Sequence, residues 1–378
     1  MVLHEELRHL ARLPRTGAPF LTLYLNTRWD SEKQRERVRI FVKTKLKECL
    51  AAAGDLGGDA RRSLEEDAEK VEHYVRGLVN RAWDEAFDGV AVFACSGLGE
   101  YRVVRSHLPF PESFTCSDRP VLRPVAQSVR EGEPALLAMV NGDAGRLLAF
   151  EMGSVTREFA FADEEFPGRH EQGGWSQARY QRHVDEHLNR NLRRLSDQLV
   201  RWAGERQGAR IVLSGPDPLL AAFEPLLPKR LEGAVCARLR LDPNSAPDVI
   251  CDEVRAALRA GRDREDAEAV DNLLNKVRGA GRGAVGPEAV AEAVAAGRVH
   301  VLYLAQSFRE AGWKCFGCGA LGVKAPPECP QCGKPVEGAE LGEELVRGTL
   351  AADGRVVAVN GHGGLQSEGG VGAALRYA

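Results

Sequence analysis

Two Cys-x-x-Cys-Gly motifs in the carboxyl-terminal part of the chain constrain its fold most strongly. They contain Cys315, Cys318, Cys329 and Cys332. Each motif bends the chain so that its two thiolates converge, and the glycine that follows lets the backbone approach sulfur closely. Two such turns separated by a short segment provide the tetrahedral set of four thiolates that Zn²⁺ prefers. The sequence therefore predicts one zinc ion in a ribbon of about residues 313–336.

Four cysteine ligands leave no open coordination position, so an ion at this site would be structural rather than catalytic. The spacing alone leaves open three alternatives, namely four reduced thiols without metal, a disulfide pair and an iron–sulfur cluster. The remaining cysteines are scattered, and in a reducing compartment we expect them to be plain buried thiols. They are Cys49, Cys95, Cys116, Cys236 and Cys251.

Length and charge place the chain among ordinary globular proteins. Its 378 residues suggest two or three domains with ample material for buried cores. The formal net charge of −3 does not indicate general nucleic-acid binding, so any RNA contact must come from local basic patches. The chain lacks both a membrane-spanning apolar run and the pattern of a signal peptide. We therefore expect a cytoplasmic monomer that does not enter a membrane.

Apolar strands alternate with amphipathic helices along the chain, which predicts an α/β fold. Breaks in this pattern divide it into three α/β domains, residues 1–134, 135–262 and 263–378, and we place the second boundary in the charged segment 261–266. The predicted strands are 20–25, 89–95, 136–140, 147–150, 210–214, 299–304 and 355–359. The predicted helices cover about 28–50, 61–79, 176–202 and 270–277, with a short one that opens at Gly286-Pro287.

Two of the predicted helices are basic on the faces that their apolar residues leave free. Such side chains are candidates for contacts with RNA phosphates, which contribute much of the affinity for nucleic acids. The alternative is the solvated face of an ordinary helix. The candidates are Arg35, Arg39, Lys43 and Lys47 on the first helix, and Arg190, Arg193 and Arg194 on the third.

Two adjacent glycines lie in a polar loop directly before the long helix of the second domain. The loop reads His170-Glu171-Gln172-Gly173-Gly174-Trp175, followed by Ser176, Arg179, Tyr180 and Arg182. Glycines permit close approach of the backbone to another molecule. This segment resembles the loop of the archaeal and eukaryotic class-I peptide-chain release factors, in which Gly-Gly-Gln precedes Ser-x-x-Arg-aromatic-x-Arg. Six positions match that pattern, and Trp175 replaces the glutamine.

In that family the loop enters the ribosomal peptidyl-transferase centre, where its glutamine helps to position the water that attacks the peptidyl-tRNA ester. The resemblance assigns this place to Gly173, Gly174 and Trp175. An indole has one N–H donor and no side-chain acceptor, so Trp175 cannot orient water as an amide does. It could instead stack on a nucleobase or fold onto its own domain. The candidate residues that flank the loop are His170, Glu171, Gln172, Ser176, Arg179 and Arg182. Of these, we expect His170 and Glu171 to position the loop rather than to catalyse.

The third domain resembles the carboxyl-terminal domain of the same release factors and of their relative Pelota. That domain has the fold of a ribosomal protein that binds kinked RNA, and some family members carry an inserted zinc ribbon. The segment 369–377 is similar to its closing strand. The first domain lacks the Asn-Ile-Lys-Ser tetrapeptide with which the family reads stop codons. Within bacteria, the layout is similar to that of relatives of these release factors that include the ribosome hibernation factor Balon.

The resemblance implies a translation factor that binds the ribosomal A site, contacts rRNA of both subunits and has a translational GTPase such as elongation factor Tu as a partner. Because the glutamine is replaced, we expect a non-catalytic role in the hibernation or protection of idle ribosomes. One alternative is ribosome rescue by hydrolysis of peptidyl-tRNA with a changed loop. Another is a zinc-stabilised RNA-binding regulator that acts off the ribosome.

Overall fold

The computed structural model describes residues 2–29, 31–80, 87–106, 108–128, 132–151, 154–166, 177–206, 208–242, 245–279 and 281–377. Two compact units divide the chain, one of Met1–Arg130 with Glu265–Ala378 and the other of Glu131–Arg264. Both units combine helices with sheets, which confirms the predicted α/β class. Within these described ranges, every helix is too short or too polar to cross a bilayer.

The amino-terminal part of the first unit is a sheet with helices on both faces. Its strands are β1 (Phe20–Asn26), β2 (Gly89–Cys95), β3 (Glu100–Ser106) and β4 (Ser113–Ser117). Its helices are α1 (Val2–Arg12), α2 (Glu32–Ala52), α3 (Gly58–Val79) and α4 (Arg123–Ser128). The strands pair antiparallel in the order β3-β2-β1-β4. One sheet face packs on α2 and α3 through residues such as Leu23, Val42 and Val71, because both helices repeat apolar residues every three or four positions.

The second unit is a five-stranded mixed sheet between helices. Its strands are β5 (Ala135–Val140), β6 (Ala144–Glu151), β7 (Ser154–Ala162), β8 (Arg210–Ser214) and β9 (Val235–Leu239). Its helices are α5 (Gln177–Glu205), α6 (Asp217–Phe223), α7 (Lys229–Glu232) and α8 (Pro247–Arg278), of which α8 continues into the first unit. The strand order is β7-β6-β5-β8-β9, with β5, β8 and β9 parallel. Leu192 and Leu199 of α5 pack on one face, and Ile250 and Val254 of α8 on the other.

Helix α8 runs without interruption through the segment 261–266, which the sequence suggests as a joint. Gly261 is buried, and a Cβ added there would lie 3.6 Å from the Cβ of Cys236 on β9. This glycine therefore permits close packing of helix on strand and does not end the helix, although glycine costs about 1 kcal/mol within helices. The first and third predicted domains lie in one compact unit. The division into three domains stays a prediction.

The carboxyl-terminal part of the first unit contains two further sheets. Its strands are β10 (Gly283–Val285), β11 (Val299–Ala305), β12 (Ala311–Lys314), β13 (Leu321–Gly322), β14 (Glu337–Glu340), β15 (Arg355–Val359) and β16 (Val371–Leu375). Its helices are α9 (Pro287–Ala295), α10 (Leu341–Ala351) and α11 (Gly363–Ser367). One sheet has the order β10-β16-β11-β15, and the other has the order β13-β12-β14. The small sheet is thus inserted between β11 and α10.

The two parts of the first unit share one hydrophobic core. Phe20, Tyr24 and Phe93 of the first sheet belong to the same buried cluster as Val290 of α9 and Leu345 of α10. The Tyr24 hydroxyl donates a hydrogen bond of 2.7 Å to the carbonyl of residue 121, just before α4. Because each part covers apolar surface of the other, we expect neither to be stable without its partner.

Candidate functional site

The four cysteines of the paired motifs converge in the ribbon formed by β12, β13 and β14. Their Sγ atoms all lie within 4.8 Å of one another. The Cys315–Cys332 and Cys318–Cys329 sulfurs are 3.4 and 3.5 Å apart. Tetrahedral bonds of about 2.3 Å would place sulfurs about 3.8 Å apart, so small movements suffice to hold a metal ion. Cys315 and Cys329 are buried, whereas Cys318 and Cys332 are exposed.

The two cysteine turns share one backbone geometry. In each, the glycine after the second cysteine donates its N–H to the carbonyl of the first cysteine, Gly319 to Cys315 and Gly333 to Cys329, both at 2.8 Å. The φ angles of these glycines are 82° and 70°, a region that side chains with a Cβ rarely adopt. The glycine in each motif is therefore required by the turn that aims the sulfurs.

Close packing of the thiols makes the pKa values of neighbouring cysteines differ. Burial acts to raise the pKa of Cys315, but backbone N–H groups of Cys318 and Gly317, aided by neighbouring thiols, lower it to about 6. The backbone N–H of Ala320 acts to lower the pKa of Cys318, but burial and three neighbouring thiols outweigh it and raise this pKa to about 12. One thiolate thus suppresses ionisation of the next, a repulsion that a bound divalent cation removes.

Phe316, inside the first cysteine turn, joins the ribbon to the amino-terminal part of the same unit. Its ring centroid lies 4.1 Å from the guanidinium of Arg15 and 4.8 Å from that of Arg119. The ammonium of Lys314 lies 5.7 Å from the same centroid. Arg15 also pairs with Glu337 of β14 at 2.8 Å. These cation–π and ionic contacts tie the position of the ribbon to the packing of the whole unit.

Next to the ribbon, helix α10 presents largely buried charges to the segment before α4. The carboxylate of Glu343 accepts the backbone N–H groups of Leu122 and Arg123 at 2.8 and 3.0 Å. Arg347 donates to Glu343 at 2.9 Å and also to the carbonyl of Pro120. The side chains of Glu343 and Arg347 are only 12% and 5% exposed, so their ion pair compensates for lost hydration. Glu344 adds a second carboxylate 3.7 Å from Arg347.

The glycine loop lies outside the residues that the structure describes. The predicted site residues in this loop are His170, Glu171, Gln172, Gly173, Gly174, Trp175 and Ser176. The backbone of Arg179 belongs to α5, and Arg182 is exposed on the same helix. The roles assigned to these residues stay predictions.

Asp163 ties the chain on the amino-terminal side of the loop to α5. Its carboxylate lies 2.8 Å from Nδ1 of His187 and accepts hydrogen bonds from Arg190 at 3.1 Å and Asn191 at 3.0 Å. Asn191 also donates to the carbonyl of Gly142, in the turn between β5 and β6. The hydrogen bond with His187, assisted by Asn191 and Arg190, holds the pKa of Asp163 well below its ordinary value. An ionised carboxylate thus holds together three segments, namely the chain after β7, helix α5 and the turn between β5 and β6.

The structure places the predicted RNA-binding side chains in unlike environments. Arg35 is buried, and its guanidinium lies 5.2 Å from the ring centroid of Trp29. Arg194 stacks on Phe161 at 4.4 Å, and Arg190 is the partner of Asp163 described above. The exposed members of the set are Arg39, Lys43, Lys47, Arg190, Arg193 and Arg194. Contact with RNA stays a prediction for all of them.

A cavity of about 620 Å³, which the sequence did not predict, lies at the carboxyl ends of the parallel strands β5, β8 and β9. Asn141, Ser214, Gly215 and Arg240 are among its lining residues. Gly215 has φ 155°, and a Cβ there would lie 2.5 Å from the carbonyl oxygen of Val140. Ligands of open α/β sheets bind at such carboxyl ends. The Gly-Pro-Asp-Pro run directly after the predicted strand 210–214 is the sequence signal for this edge.

The family comparison finds a similarity in the middle of the chain. Residues 120–259 match the model of the bacterial archaeo-eukaryotic release factor family 10. This range includes the five-stranded sheet, the Asp163 cluster and the glycine loop. No curated protein matches the chain.

Solved structures of release factors and Pelota are also similar to this chain. An archaeal translation termination factor, aRF1, is 15% identical over 100% of this chain and 97% of its own, with a TM-score of 0.27. An archaeal Pelota, from a model of ribosome-bound Pelota and ABCE1, is 15% identical over 74% and 73%, with a TM-score of 0.41. S. cerevisiae Dom34, a translation termination-like factor that interacts with Hbs1, is 10% identical over 74% and 75%, with a TM-score of 0.37. Likeness this low carries no assignment. The family model shows that residues 120–259, fewer than half of the chain, are similar to the bacterial archaeo-eukaryotic release factor family 10.

Proposed function

We propose that this protein is a cytoplasmic, ribosome-associated translation factor that occupies the A site and holds idle ribosomes without releasing peptide. The observation that carries the proposal is a release-factor middle domain whose loop has Trp175 where the family has glutamine. The family match supports association with the ribosome. The substitution supports occupancy without hydrolysis, which is the chemistry expected of a hibernation factor.

Hydrolysis of the peptidyl-tRNA ester requires a water molecule held in line with the carbonyl carbon. An amide side chain offers both a donor and an acceptor to that water, whereas an indole offers one donor only. A displacement of about 1 Å in a reacting group can cost about 100-fold in rate. We therefore expect release by this protein to be at least about 100-fold slower than release by a factor with the intact tripeptide.

The Asp163 cluster supports a presenting role for the loop. A loop that must reach a distant site benefits from a rigid root, because precise placement requires supporting groups that are themselves held. Asp163 and His187 are only 9% and 8% exposed at the side chain, so their hydrogen bonds are shielded from water. The segments that flank Gly173 and Gly174 would then be held in a fixed position.

Two further features fit contacts with the ribosome and its factors. Arg193 on α5, and Lys43 and Lys47 on α2, are exposed cations that can reach RNA phosphates. The four cysteines would hold Zn²⁺ as a closed structural site, since thiolates in a tetrahedron are its preferred ligands. A translational GTPase, such as elongation factor Tu, is the partner that would deliver such a factor to the A site.

A peptide-release assay tests the proposal directly. Ribosomes that carry labelled peptidyl-tRNA and an empty A site are mixed with the protein, and both bound protein and released peptide are measured. We expect wild-type protein to bind without release. Trp175→Gln, which restores Gly-Gly-Gln, should gain measurable release, and Trp175→Ala should weaken binding by about 1–3 kcal/mol if the indole stacks on a base. Wild-type release at the rate of a true release factor would instead establish ribosome rescue.

A salt series separates action on the ribosome from action elsewhere. Each phosphate contact releases counterions, so the logarithm of affinity falls linearly with the logarithm of salt concentration. Arg193→Glu should weaken co-sedimentation with ribosomes and reduce the slope by about 1, whereas Arg193→Lys should retain both. Absence of the wild-type protein from ribosomal fractions at low salt would favour a regulator that acts off the ribosome.

A further inference from the structure

Two cysteines far apart in the chain face each other in the amino-terminal part of the first unit. Cys116 on β4 lies opposite Leu21 on β1 in the antiparallel register. Residues directly opposite in such a pair point to the same face of the sheet. The side chain of Leu21 packs in the cluster that contains Val42 and Cys49 of α2. Cys116 therefore lies on the sheet face that α2 covers, close to the carboxyl-terminal end of that helix.

Both thiols line one open cavity of about 610 Å³. Its other walls come from residues 15–19, from the end of α2 and from Ser117 and Asp118. Cys116 is exposed, contrary to the expectation of a buried thiol, whereas Cys49 is only 8% exposed and lies behind it. A small oxidant can therefore reach the sulfur of Cys116 from solvent, and the sulfur of Cys49 lies deeper in the same cavity.

The pair is also polarised. A hydrogen bond from the Cys49 thiol lowers the pKa of Cys116, and the same bond, together with burial, raises the pKa of Cys49. The thiolate, which is the reactive form, is thus favoured on the accessible sulfur. Burial raises the pKa of Cys95 and of Cys251, so these two thiols are less reactive. Exposure and thiolate character together single out Cys116 as the site of attack.

We propose that Cys49 and Cys116 are a peroxide-sensitive thiol pair that forms a reversible disulfide between α2 and the edge strand β4. The Cys116 thiolate attacks a hydroperoxide; an S–O bond forms, the O–O bond breaks, and the leaving oxyanion takes a proton. Cys49 then attacks the sulfenic acid; the S–S bond forms, the S–O bond breaks, and water leaves with the Cys49 proton. Two thiols lose two electrons and the peroxide gains them. A cellular dithiol reverses the reaction by exchange.

The bond would fasten the helix that carries Lys43 and Lys47 to the edge of the sheet. A disulfide that closes a long segment restricts the unfolded chain more than a disulfide that closes a short segment. The Cys49–Cys116 bond should therefore stabilise the unit against unfolding. The proposal does not depend on the ribosomal function, because it concerns chemistry within one unit. It does predict that oxidation changes the stability of that unit.

Limiting peroxide on the reduced, metal-loaded full chain tests the pair. Free thiols are then alkylated, and the protein is digested without reductant and analysed by mass spectrometry. We expect a cross-linked peptide that joins Cys49 to Cys116, formed before Cys251 is oxidised and abolished by dithiothreitol. The unfolding midpoint of the oxidised unit should rise by roughly 5–10 °C.

Three variants make the result specific. Cys49→Ser should stop the reaction at a sulfenic acid on Cys116, which a sulfenic-acid-specific diketone traps. Cys116→Ser should leave Cys49 reduced at the same peroxide dose, and Cys251→Ser should form the cross-link as the wild type does. Oxidation of Cys251 or of the four ribbon cysteines ahead of the cross-link would overturn the proposal. So would conversion of Cys116 to sulfinic acid in wild-type protein without a bond to Cys49.

Discussion

Asp163 shows how one side chain can hold together segments that are distant in the sequence. Its carboxylate contacts two side chains of α5 that are mostly shielded from water, those of His187 and Asn191, and through Asn191 it reaches the turn at Gly142. Together with Asp163 itself, these partners come from three segments that are separate in the sequence. A residue of this kind is neither catalytic nor part of the apolar core. If the glycine loop acts as proposed, Asp163 would be a positioning residue, since it holds the chain before the loop to helix α5 after it.

Replacement of Asp163 by asparagine should destabilise the second unit, with a fall of several degrees in its unfolding midpoint, because the partners lose an ionised acceptor. Hydrogen bonds hold the folded pKa of Asp163 below its unfolded value of about 3.9. The stabilisation is therefore fully present above that unfolded value and is lost as pH falls through the folded pKa.

Thermal unfolding of wild type and Asp163→Asn between pH 7 and pH 3 checks this. The difference in unfolding midpoint between wild type and Asp163→Asn should stay constant from pH 7 to about 5 and should become smaller below about pH 4. Asp197→Asn is the matched control, since Asp197 is exposed on the same helix. A gap that is equally wide at pH 3 would contradict the assigned ionised state.

At the scale of elements, the cysteine ribbon is a small sheet with little apolar material of its own. Its core consists of Trp313, Cys315, Ala320 and Cys329, with Val336 partly buried against them. Two of these residues are proposed metal ligands, so much of the packing depends on the ion. Strands as short as β13 (Leu321–Gly322) are marginal without such a cross-link.

Removal of the metal should therefore loosen β12, β13 and β14 while the second unit keeps its stability. We expect one zinc ion per chain by elemental analysis, and near zero for Cys318→Ser, whose exposed position limits damage to the core. Hydrogen exchange in the ribbon should then quicken by at least about 100-fold, since structural zinc contributes many kcal/mol to such folds. Cys251→Ser should retain both zinc and protection. Purified wild-type protein without zinc but with a fully protected ribbon would disprove the metal proposal.

At the scale of the whole molecule, the first and last parts of the chain form one core. The cluster that joins Phe93 of β2 to Leu345 of α10 is continuous. Glu343 and Arg347 of α10 add hydrogen bonds to the backbone of residues 120–123. Such a unit should unfold in one step even though its parts come from opposite ends of the sequence.

Glu343→Ala tests that cooperativity. The change removes one of the two carboxylates that face buried Arg347 and leaves two backbone N–H groups without an acceptor, which should cost about 3–5 kcal/mol. Hydrogen-exchange free energies of β2 (Gly89–Cys95) and β11 (Val299–Ala305) should fall by equal amounts. Glu292→Ala, on an exposed position of α9, should change stability by less than about 0.5 kcal/mol. A fall confined to β11 would mean that the two parts open separately.

Local pattern in the sequence was sufficient for several of the elements and for the four cysteines that could hold a metal ion. Strands β2, β8 and β15 coincide with the predicted runs 89–95, 210–214 and 355–359, because apolar runs of β-forming residues indicate buried strands by themselves. The four cysteines are identifiable because each pair closes its turn within a few residues. The glycine loop and its tryptophan likewise stand in one short segment, which the sequence alone relates to release factors.

Contacts between distant segments were decided only by the tertiary structure. Apolar periodicity says which face of an element is buried and not which element covers it, so the core shared by the two ends of the chain could not be predicted. From the sequence, Gly261 could either end a helix or permit close packing of a helix on a strand. Only its position next to Cys236 on β9 shows that it permits packing. Cys49 and Cys116 become a pair through the register of β4 on β1. Strand register depends on long-range burial, since a shift by one residue would turn Cys116 to the other face of the sheet.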